Sequence, residues 1–335
     1  MREELAHPTV PSGAPAEIDL ANVDLPERNW RIPVIVAVAV VAMVAVGWIT
    51  TPRFVTVDNA LIVIRSASII GIVAIGLTFV TISGNFFSLS IGETASFSAI
   101  VFSFMISNDW GVAAAVVLTL SLAIALGMLQ GAVVAAGANP IITTLGAGAA
   151  LFGLAAVLTD NKTMRTGSDV ADWIGQGRPF GIPNQTWAFV LLTVVASLVL
   201  VKTPFGRRLT LVGSNAAAAT SAGLRRGTIA IAAFAIASLG AGLAGMFTAA
   251  QVGQGITDQF PELNINAIAA VLVGGTAITG GDGSMVRTAL GAVFIAGLDN
   301  LLVIRGYSYG VRVAIVGFAV LVGVSLFTVL RRKSV

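Results

Sequence analysis

The sequence predicts an all-α polytopic membrane protein with about ten transmembrane helices, some of them broken, and one short helix outside the membrane. Of the 335 residues, 56% are hydrophobic and 10% are charged, whereas soluble domains carry about 25% charged residues. The mean hydropathy is +0.92. Glycine contributes 37 residues, and small residues let helices approach closely in lipid. A chain with so few charges cannot enclose a water-facing core, so we expect it to lie in a bilayer.

The composition also excludes most enzyme chemistry. The chain has no cysteine, so thiol nucleophiles and thiolate metal sites are excluded. The single histidine, His7, precedes every apolar stretch, so no imidazole is available inside the membrane. The sequence also lacks a G-x-x-x-x-G-K-S/T phosphate loop. We therefore expect no catalytic residue, no metal site and no cofactor bound by this chain, and we assign its basic pI of 9.8 to loop charges rather than nucleic-acid binding.

The chain divides into a polar tail, an apolar body and a short polar end. Residues 1–31 contain four prolines and scattered acids, which is typical of a flexible tail. Residues 32–330 form the predicted transmembrane domain. A helix needs roughly 20 apolar residues to cross a bilayer, and this region contains about ten apolar stretches close to that length. The predicted spans are 32–50, 60–83, 88–107, 111–135, 141–159, 186–202, 229–252, 266–281, 286–304 and 309–330. Residues 331–335 form the polar end.

The basic residues predict that both termini lie in the cytoplasm. With ten spans the termini share one side, and that side then holds most of the 19 lysines and arginines. Excess basic charge favours the cytoplasmic side of a membrane. The longest outward connection is then residues 160–185. The longest inward connection is residues 203–228.

Two interruptions of the apolar pattern indicate a transport path. Glycine and polar residues at 83–88 and at 274–284 occur at similar places in the two halves, as in transporters built from repeats. Backbone that leaves the helix at membrane depth must face protein or water. The amide and hydroxyl side chains near these breaks could hydrogen-bond a polar solute, and capping of helix ends is an equally good interpretation. For the phenylalanines, the two interpretations are an apolar gate and packing against a neighbouring helix. The residues predicted to line the path are Asn85, Phe86, Phe87, Ser88, Asn264, Asn266, Asp299 and Asn300.

Two acids, Glu93 and Asp299, lie inside apolar stretches. A charge at the bilayer centre costs at least about 2.5 kcal/mol, so these side chains should face the bundle interior or an interface. Two interpretations stay open for both: an acid at a helix end near the membrane surface, or an acid that lines the path. Asp299 has a third, which is an ion pair with Arg305 or Arg312.

Residues 203–228 contain the predicted helix outside the membrane. Ser214 and Asn215 are good helix starters, four alanines follow, and Gly223 is a helix stop. One interpretation is a solvated connector whose arginines set the topology. The other is a rigid helix with small side chains that docks in a cleft of a cytoplasmic partner. The residues assigned to that contact are Gly213, Asn215, Ala216, Ala217, Ala218, Ala219, Ser221 and Gly223.

At this segment the sequence resembles the permease subunit of bacterial ABC importers of the ribose/galactose/xylose type. Residues 203–223, 139–146 and 267–283 resemble three separate motifs of that family, and residues 64–76 resemble its second helix. The resemblance covers about residues 58–330. The sequence departs from the family at Ser88 and Asn266, where the family commonly has aspartate.

The resemblance implies a function and a set of partners. The chain would be the transmembrane subunit of an importer in the bacterial inner membrane, translocating a monosaccharide or related polyol. Residues 160–185 would then form a periplasmic loop, and residues 213–223 the coupling helix. ATP and Mg²⁺ would be used by cytoplasmic ABC ATPase subunits. The other implied partners are a periplasmic or lipid-anchored sugar-binding protein, a second permease copy or paralogue, and membrane lipid. The alternative is a secondary transporter driven by an ion gradient, for which Glu93 and Asp299 are the candidate ion-binding residues.

Overall fold

The computed structural model describes residues 31–167 and 169–332, and these residues are almost entirely helical. Residues 1–30 and 333–335, most of the predicted tail and polar end, lie outside that range. The helices are α1 (Arg31–Thr50), α2 (Val57–Ile82), α3 (Ile91–Ser107), α4 (Val112–Ala135), α5 (Pro140–Thr159), α6 (Asp169–Gln176), α7 (Asn184–Lys202), α8 (Pro204–Ser214), α9 (Ala216–Ser221), α10 (Arg226–Val252), α11 (Leu263–Val273), α12 (Met285–Ile304) and α13 (Tyr309–Arg332). Two short strands, β1 (Met164–Arg165) and β2 (Gln254–Gly255), pair antiparallel.

The all-α membrane class is confirmed. Seven described helices, α1, α2, α4, α5, α7, α10 and α12, are long and apolar enough to cross a membrane, and the apolar stretches of α3, α11 and α13 are shorter. These ten helices correspond to the ten predicted spans. With 11 residues, α11 reaches only about 16 Å at 1.5 Å per residue, roughly half of the hydrocarbon thickness.

Two predicted elements differ from the structure. The span predicted at 266–281 is wrong beyond residue 273, because α11 ends at Val273 and the next residues form a loop in which Gly275, Gly280 and Gly281 have φ of 73°, 88° and 78°. An α-helix cannot continue through left-handed backbone. The short helix predicted within 213–223 is present as α9, but Gly213 and Ser214 belong to the end of α8 rather than to that helix.

The core lies around α10, which packs against α2, α3 and α4 through small side chains. A Cβ added to Gly127 of α4 would lie 2.5 Å from the backbone oxygen of Phe234, and one added to Gly131 would lie 2.6 Å from Ile231 Cα. The G-x-x-x-G pair therefore permits backbone contact between α4 and α10.

The helices define two ends of the bundle. At one end, here called the α9 end, α2, α4 and α7 finish and α10 and α12 begin. At the opposite end, called the ribbon end, β1 and β2 lie beside α3, where the hydroxyls of Ser103 and Thr166 are 2.9 Å apart. Arg305 also donates to Thr51 at the ribbon end, joining α12 to the end of α1.

Candidate functional site

The α8–α9 pair is fixed by local capping. The Gly206 N–H donates to Thr203 Oγ1 at the start of α8, over 3.2 Å. The Ala218 N–H donates to Asn215 Oδ1 over 3.0 Å at the start of α9. Gly223, with φ of 78°, lies just after the end of α9 in left-handed backbone. Asn215 as the starter and Gly223 as the stop are therefore confirmed.

One face of α9 points away from the bundle. Ala219 is buried and anchors the helix, while Ala216 is half-buried. Small side chains form the exposed face, which we call the α9 surface: Ala217, Ala218, Ser221 and Gly223. A cavity of about 390 Å³ beside it is lined by Arg208, Gly223, Leu224, Arg225, Thr228 and Ile229. Short side chains let a second backbone approach closely, and the arginines add positive charge at the rim.

Gly213 is not part of the α9 surface, although it belongs to the segment assigned to coupling. It lies at the end of α8, directly against the backbone of Ile82 at the end of α2. A Cβ on Gly213 would collide with the Ile82 oxygen and lie 2.8 Å from the Gly281 nitrogen. The position faces inward, where only hydrogen fits.

A second group of polar residues surrounds the start of α3 inside the bundle. The Gly92 N–H donates to Asn264 Oδ1 over 2.8 Å. Asn264 Nδ2 in turn donates to the Leu89 oxygen over 3.2 Å and to Glu93 Oε2 over 3.4 Å. One side chain from α11 therefore holds both the last residues of the 83–90 break and the first turn of α3.

Two further helices hold the same break. Ser90 donates to Gln130 Oε1 on α4 over 2.7 Å, and its hydroxyl lies 3.1 Å from that of Ser88. The Leu89 N–H donates to Thr144 Oγ1 on α5 over 3.1 Å. We call Ser88, Ser90, Glu93, Gln130, Thr144 and Asn264 the membrane-depth cluster.

The cluster lies well inside the apolar bundle. Glu93 Oε2 is 3.4 Å from the Cβ position of Gly148, which is eight residues into α5, about 12 Å from its start at 1.5 Å per residue. Glu93 lies in the first turn of α3 and is half-buried. A carboxylate at that depth must face protein or a water-filled space rather than lipid.

The other predicted path residues are more dispersed. Asn85 donates to Ser83 Oγ over 2.9 Å at the α9 end and lines a cavity of about 360 Å³ there. Phe87 is buried and Phe86 is exposed, with ring centroids 5.3 Å apart. Asn266 is half-buried one turn into α11. Of the predicted path residues, only Ser88 and Asn264 join Glu93 in the cluster.

Asp299 forms the ion pair that was one of its three interpretations. Arg312 Nη1 lies 2.8 Å from Asp299 Oδ1, and Arg312 Nη2 lies 3.9 Å from Glu262 Oε1 at the start of α11. The neighbouring Asn300 Oδ1 is buried without a hydrogen-bond partner among the described residues. Asp299 is therefore neutralised by a cation of α13, and Glu93 has no such ion pair within the described part of the chain.

Comparison with known proteins places the chain in a family of transport proteins. Residues 59–329 match a family described as the branched-chain amino acid transport system / permease component. The chain belongs to this family. It is therefore a component of a transport system rather than an enzyme, and its apolar helices make it a multi-pass membrane protein.

Individual relatives of the permease resemble it over most of their length. The ribose import permease protein of Haemophilus influenzae is 32% identical over 281 residues, which are 82% of this chain and 85% of the relative. That of Escherichia coli K12 is 30% identical over 294 residues, 85% and 91% of the two chains. The autoinducer 2 import system permease protein of Photorhabdus laumondii is 30% identical over 253 residues, 75% and 76%. No solved structure matches the permease.

Sequence reasoning missed Gln130 and Thr144. Both are buried polar residues in otherwise apolar helices, with 4% and 0% exposure. Buried side-chain polar groups need hydrogen-bond partners, so a lone glutamine in the last third of the apolar helix α4 was the available signal. Its partner, Ser90, is 40 residues away in sequence.

We expect Asn264→Ala to destabilise the permease by about 1–3 kcal/mol, because the buried Gly92 N–H would lose its acceptor. The measurement is the thermal unfolding midpoint of the purified protein in detergent. The control is Asn108→Ala at the exposed end of α3, where the amide donates to the Phe104 oxygen, and where surface substitutions change stability by at most about 0.5 kcal/mol. Equal midpoints for the two variants would contradict the assigned role of Asn264.

Proposed function

We propose that the permease is the transmembrane subunit of an ABC importer that translocates a monosaccharide or related polyol into the cytoplasm. The observation that carries this proposal is the α9 surface, an exposed helix face of small side chains outside the apolar bundle. Two relatives named as ribose import permeases support the sugar. The neutral hydroxyl and amide groups of the membrane-depth cluster suit transient hydrogen bonds to sugar hydroxyls.

The proposed partners follow from the two ends of the bundle. The ATPase subunits, which bind ATP and Mg²⁺, dock on the α9 surface, so the α9 end faces the cytoplasm together with both termini. The sugar-binding protein docks at the ribbon end, on the loop that contains α6. ATP binding closes the ATPase subunits, and α8–α9 passes that movement to the helices.

The path runs between this chain and a second permease copy or paralogue. Glu93 supports that placement, because it is half-buried at membrane depth and requires protein or water beside it. The neighbouring α5 exposes Gly146 and Gly153, whose Cβ positions have no atom of the described chain within 4 Å. These glycines face away from Gly148, and their small size lets the backbone of a second chain pack closely against α5.

The test is purification of the tagged permease in mild detergent, followed by reconstitution of what remains bound into liposomes. We expect an ATPase with a phosphate loop and a binding protein to co-purify. Uptake of radiolabelled ribose, xylose or galactose should then require ATP and should persist when proton and sodium gradients are collapsed. Recovery of the permease alone, with uptake that stops on collapse of the gradients, would overturn the proposal.

The gradient-driven alternative makes a separate prediction for Glu93 and Asp299. In an ATP-driven importer, we expect Glu93→Gln to retain ATP-dependent uptake within about threefold, or about 0.7 kcal/mol in activation free energy, because the amide keeps the shape and the Asn264 contact. Asp299→Asn should act mainly on stability by leaving Arg312 with Glu262 alone. Loss of uptake in both variants, with folding intact, would favour the alternative.

A further inference from the structure

Three distant segments meet at the α9 end through close backbone contacts. They are the end of α2 with Gly84, the end of α8 at Gly213, and the loop at 274–284. The Gly281 N–H donates to the Ile82 oxygen over 2.9 Å. We call Ile82, Gly84, Gly213, Gly280 and Gly281 the glycine junction.

A Cβ atom does not fit at Gly213, Gly280 or Gly281 unless a neighbouring backbone shifts. One on Gly280 would lie 2.7 Å from Gly84 Cα and 2.9 Å from the Gly213 oxygen. One on Gly281 would lie 2.8 Å from both Cα and Cβ of Ser214. Contacts below 3.0 Å to backbone cannot relax by a change of rotamer. Gly84 is exposed and Gly213 and Gly280 are half-buried, so the junction lies at the edge of the bundle. Its backbones are nevertheless in contact, and one cannot move toward another without displacing it.

The loop side of the junction is fixed to α12. Arg287 in the first turn of α12 is 2% exposed, and its Nη2 donates to Asp282 Oδ1 over 2.9 Å. The backbone oxygen of Asp282 accepts a hydrogen bond from the Ala277 N–H, also over 2.9 Å, which joins the two ends of residues 277–282. Gly274 packs against the Arg287 backbone, since a Cβ there would lie 2.8 Å from the Arg287 oxygen. Asp282 and Arg287 are therefore positioning residues for Gly280 and Gly281.

Two routes lead from the junction to the membrane-depth cluster. The first runs from Gly84 through the 85–90 break to Gly92. The second runs from the 274–284 loop along α11, whose other end carries Asn264, the acceptor for the Gly92 N–H. Both routes converge on the first turn of α3. Only Asn215 separates α8, which ends in the junction, from α9.

We propose that the glycine junction moves as a unit and transmits displacement of α9 to the break before α3 and to α11. This inference rests on the proposed function, because it requires a partner that moves α9. Its specific content is that backbone contact between residues 84, 213 and 280–281, rather than side-chain packing, couples the ATPase to the path.

The test compares alanine variants that differ only in what the new Cβ meets. Gly281→Ala places it against the Ser214 backbone. Gly283→Ala, in the same loop, places it 2.6 Å from Cδ1 and Cγ1 of Ile82 and 3.1 Å from Thr276 Cγ2, which are side-chain rather than backbone atoms. Gly253→Ala controls for left-handed backbone, since Gly253 has φ of 74° and nothing within 4 Å. The readout is sugar imported per ATP hydrolysed in liposomes, with the sugar that the wild type imports.

We expect Gly281→Ala to lower that ratio about tenfold, a common size for coupling between sites, while its ATPase activity persists. Gly283→Ala and Gly253→Ala should stay near the wild-type ratio. If Gly281→Ala elutes as an aggregate, Asp282→Asn replaces it: it should lower the ratio in the same way, and Asp282→Glu should restore part of it. If Gly281→Ala is folded and imports as much sugar per ATP as the wild type, the proposed role of the glycine junction is wrong. The same result for Asp282→Asn, where it replaces Gly281→Ala, has the same meaning. Failure of the proposed function gives a different result, because the wild type itself would then show no ATP-dependent uptake.

Discussion

Replacing Ala217 with glutamate or with lysine is expected to uncouple ATP hydrolysis from transport while leaving the permease folded. Ala217 is exposed on α9 and no described residue needs its side chain for packing, whereas Ala219 on the opposite face is buried. A long charged side chain in a docked interface would have to be desolvated without a designed partner, which costs several kcal/mol per ion. Because the obstacle is size and desolvation, both signs of charge should act alike.

The readouts are ATPase stimulation by the loaded binding protein and retention of the ATPase during purification. We expect stimulation to fall about tenfold or more, in the range of coupling free energies between sites. The control is Ala138→Glu, an exposed alanine of the α4–α5 turn at the same end of the bundle. Stimulated activity that is unchanged in both Ala217 variants would show that the α9 surface is not the docking site.

Gly223→Arg provides a second variant on the same surface. Gly223 has φ of 78° with nothing within 4 Å of its Cβ position, so arginine fits sterically but strains left-handed backbone by about 1–2 kcal/mol. Uncoupling is expected here too, with some loss of stability. Gly306→Arg at the ribbon end matches the backbone strain, since Gly306 has φ of 75° and equally open space, and it lies away from the α9 surface.

Hydropathy predicted the long helices well because a span of about 20 apolar residues has few alternatives in a bilayer. The same measure extended the eighth span too far, since residues 274–281 carry no charge but are held out of the helix by left-handed glycines. Local chemistry found Asn215 and Gly223, because a cap and a stop act within four residues. It did not separate α8 from α9, as both sides of Asn215 favour helix.

The contacts that define the candidate site were beyond reach for a different reason. The backbone contacts of the junction join residues far apart in sequence, namely Gly84, Gly213 and Gly280. The sequence around each glycine does not indicate which other glycines it contacts. Glycine abundance indicated close helix approach in general, but a glycine in open space, such as Gly317, looks identical in the sequence. The same holds for Ser90 and Gln130, whose hydrogen bond depends on the packing of α3 against α4. Long-range packing determines which of these residues are in contact, and composition does not indicate it.

Gly213→Ala is expected to give the largest loss of stability of any single methyl addition discussed here. The new Cβ would collide with the Ile82 backbone oxygen and approach the Gly281 nitrogen at 2.8 Å, so α8 would have to withdraw from α2 and from the loop together. Overpacking a dense site costs about 1–3 kcal/mol, and here the neighbours are backbone atoms that cannot change rotamer.

Intrinsic helix propensity works in the opposite direction, which makes the experiment decisive. Alanine favours a helix over glycine by about 1 kcal/mol, and Gly213 lies within α8. Gly317→Ala in α13, where nothing lies within 4 Å, should therefore keep or raise the unfolding midpoint in detergent, while Gly213→Ala should lower it. A midpoint for Gly213→Ala at or above that of the wild type would mean that α8 and α2 are not in backbone contact in the folded protein. The separation between these two variants measures the packing of the junction itself, because the propensity gain is common to both.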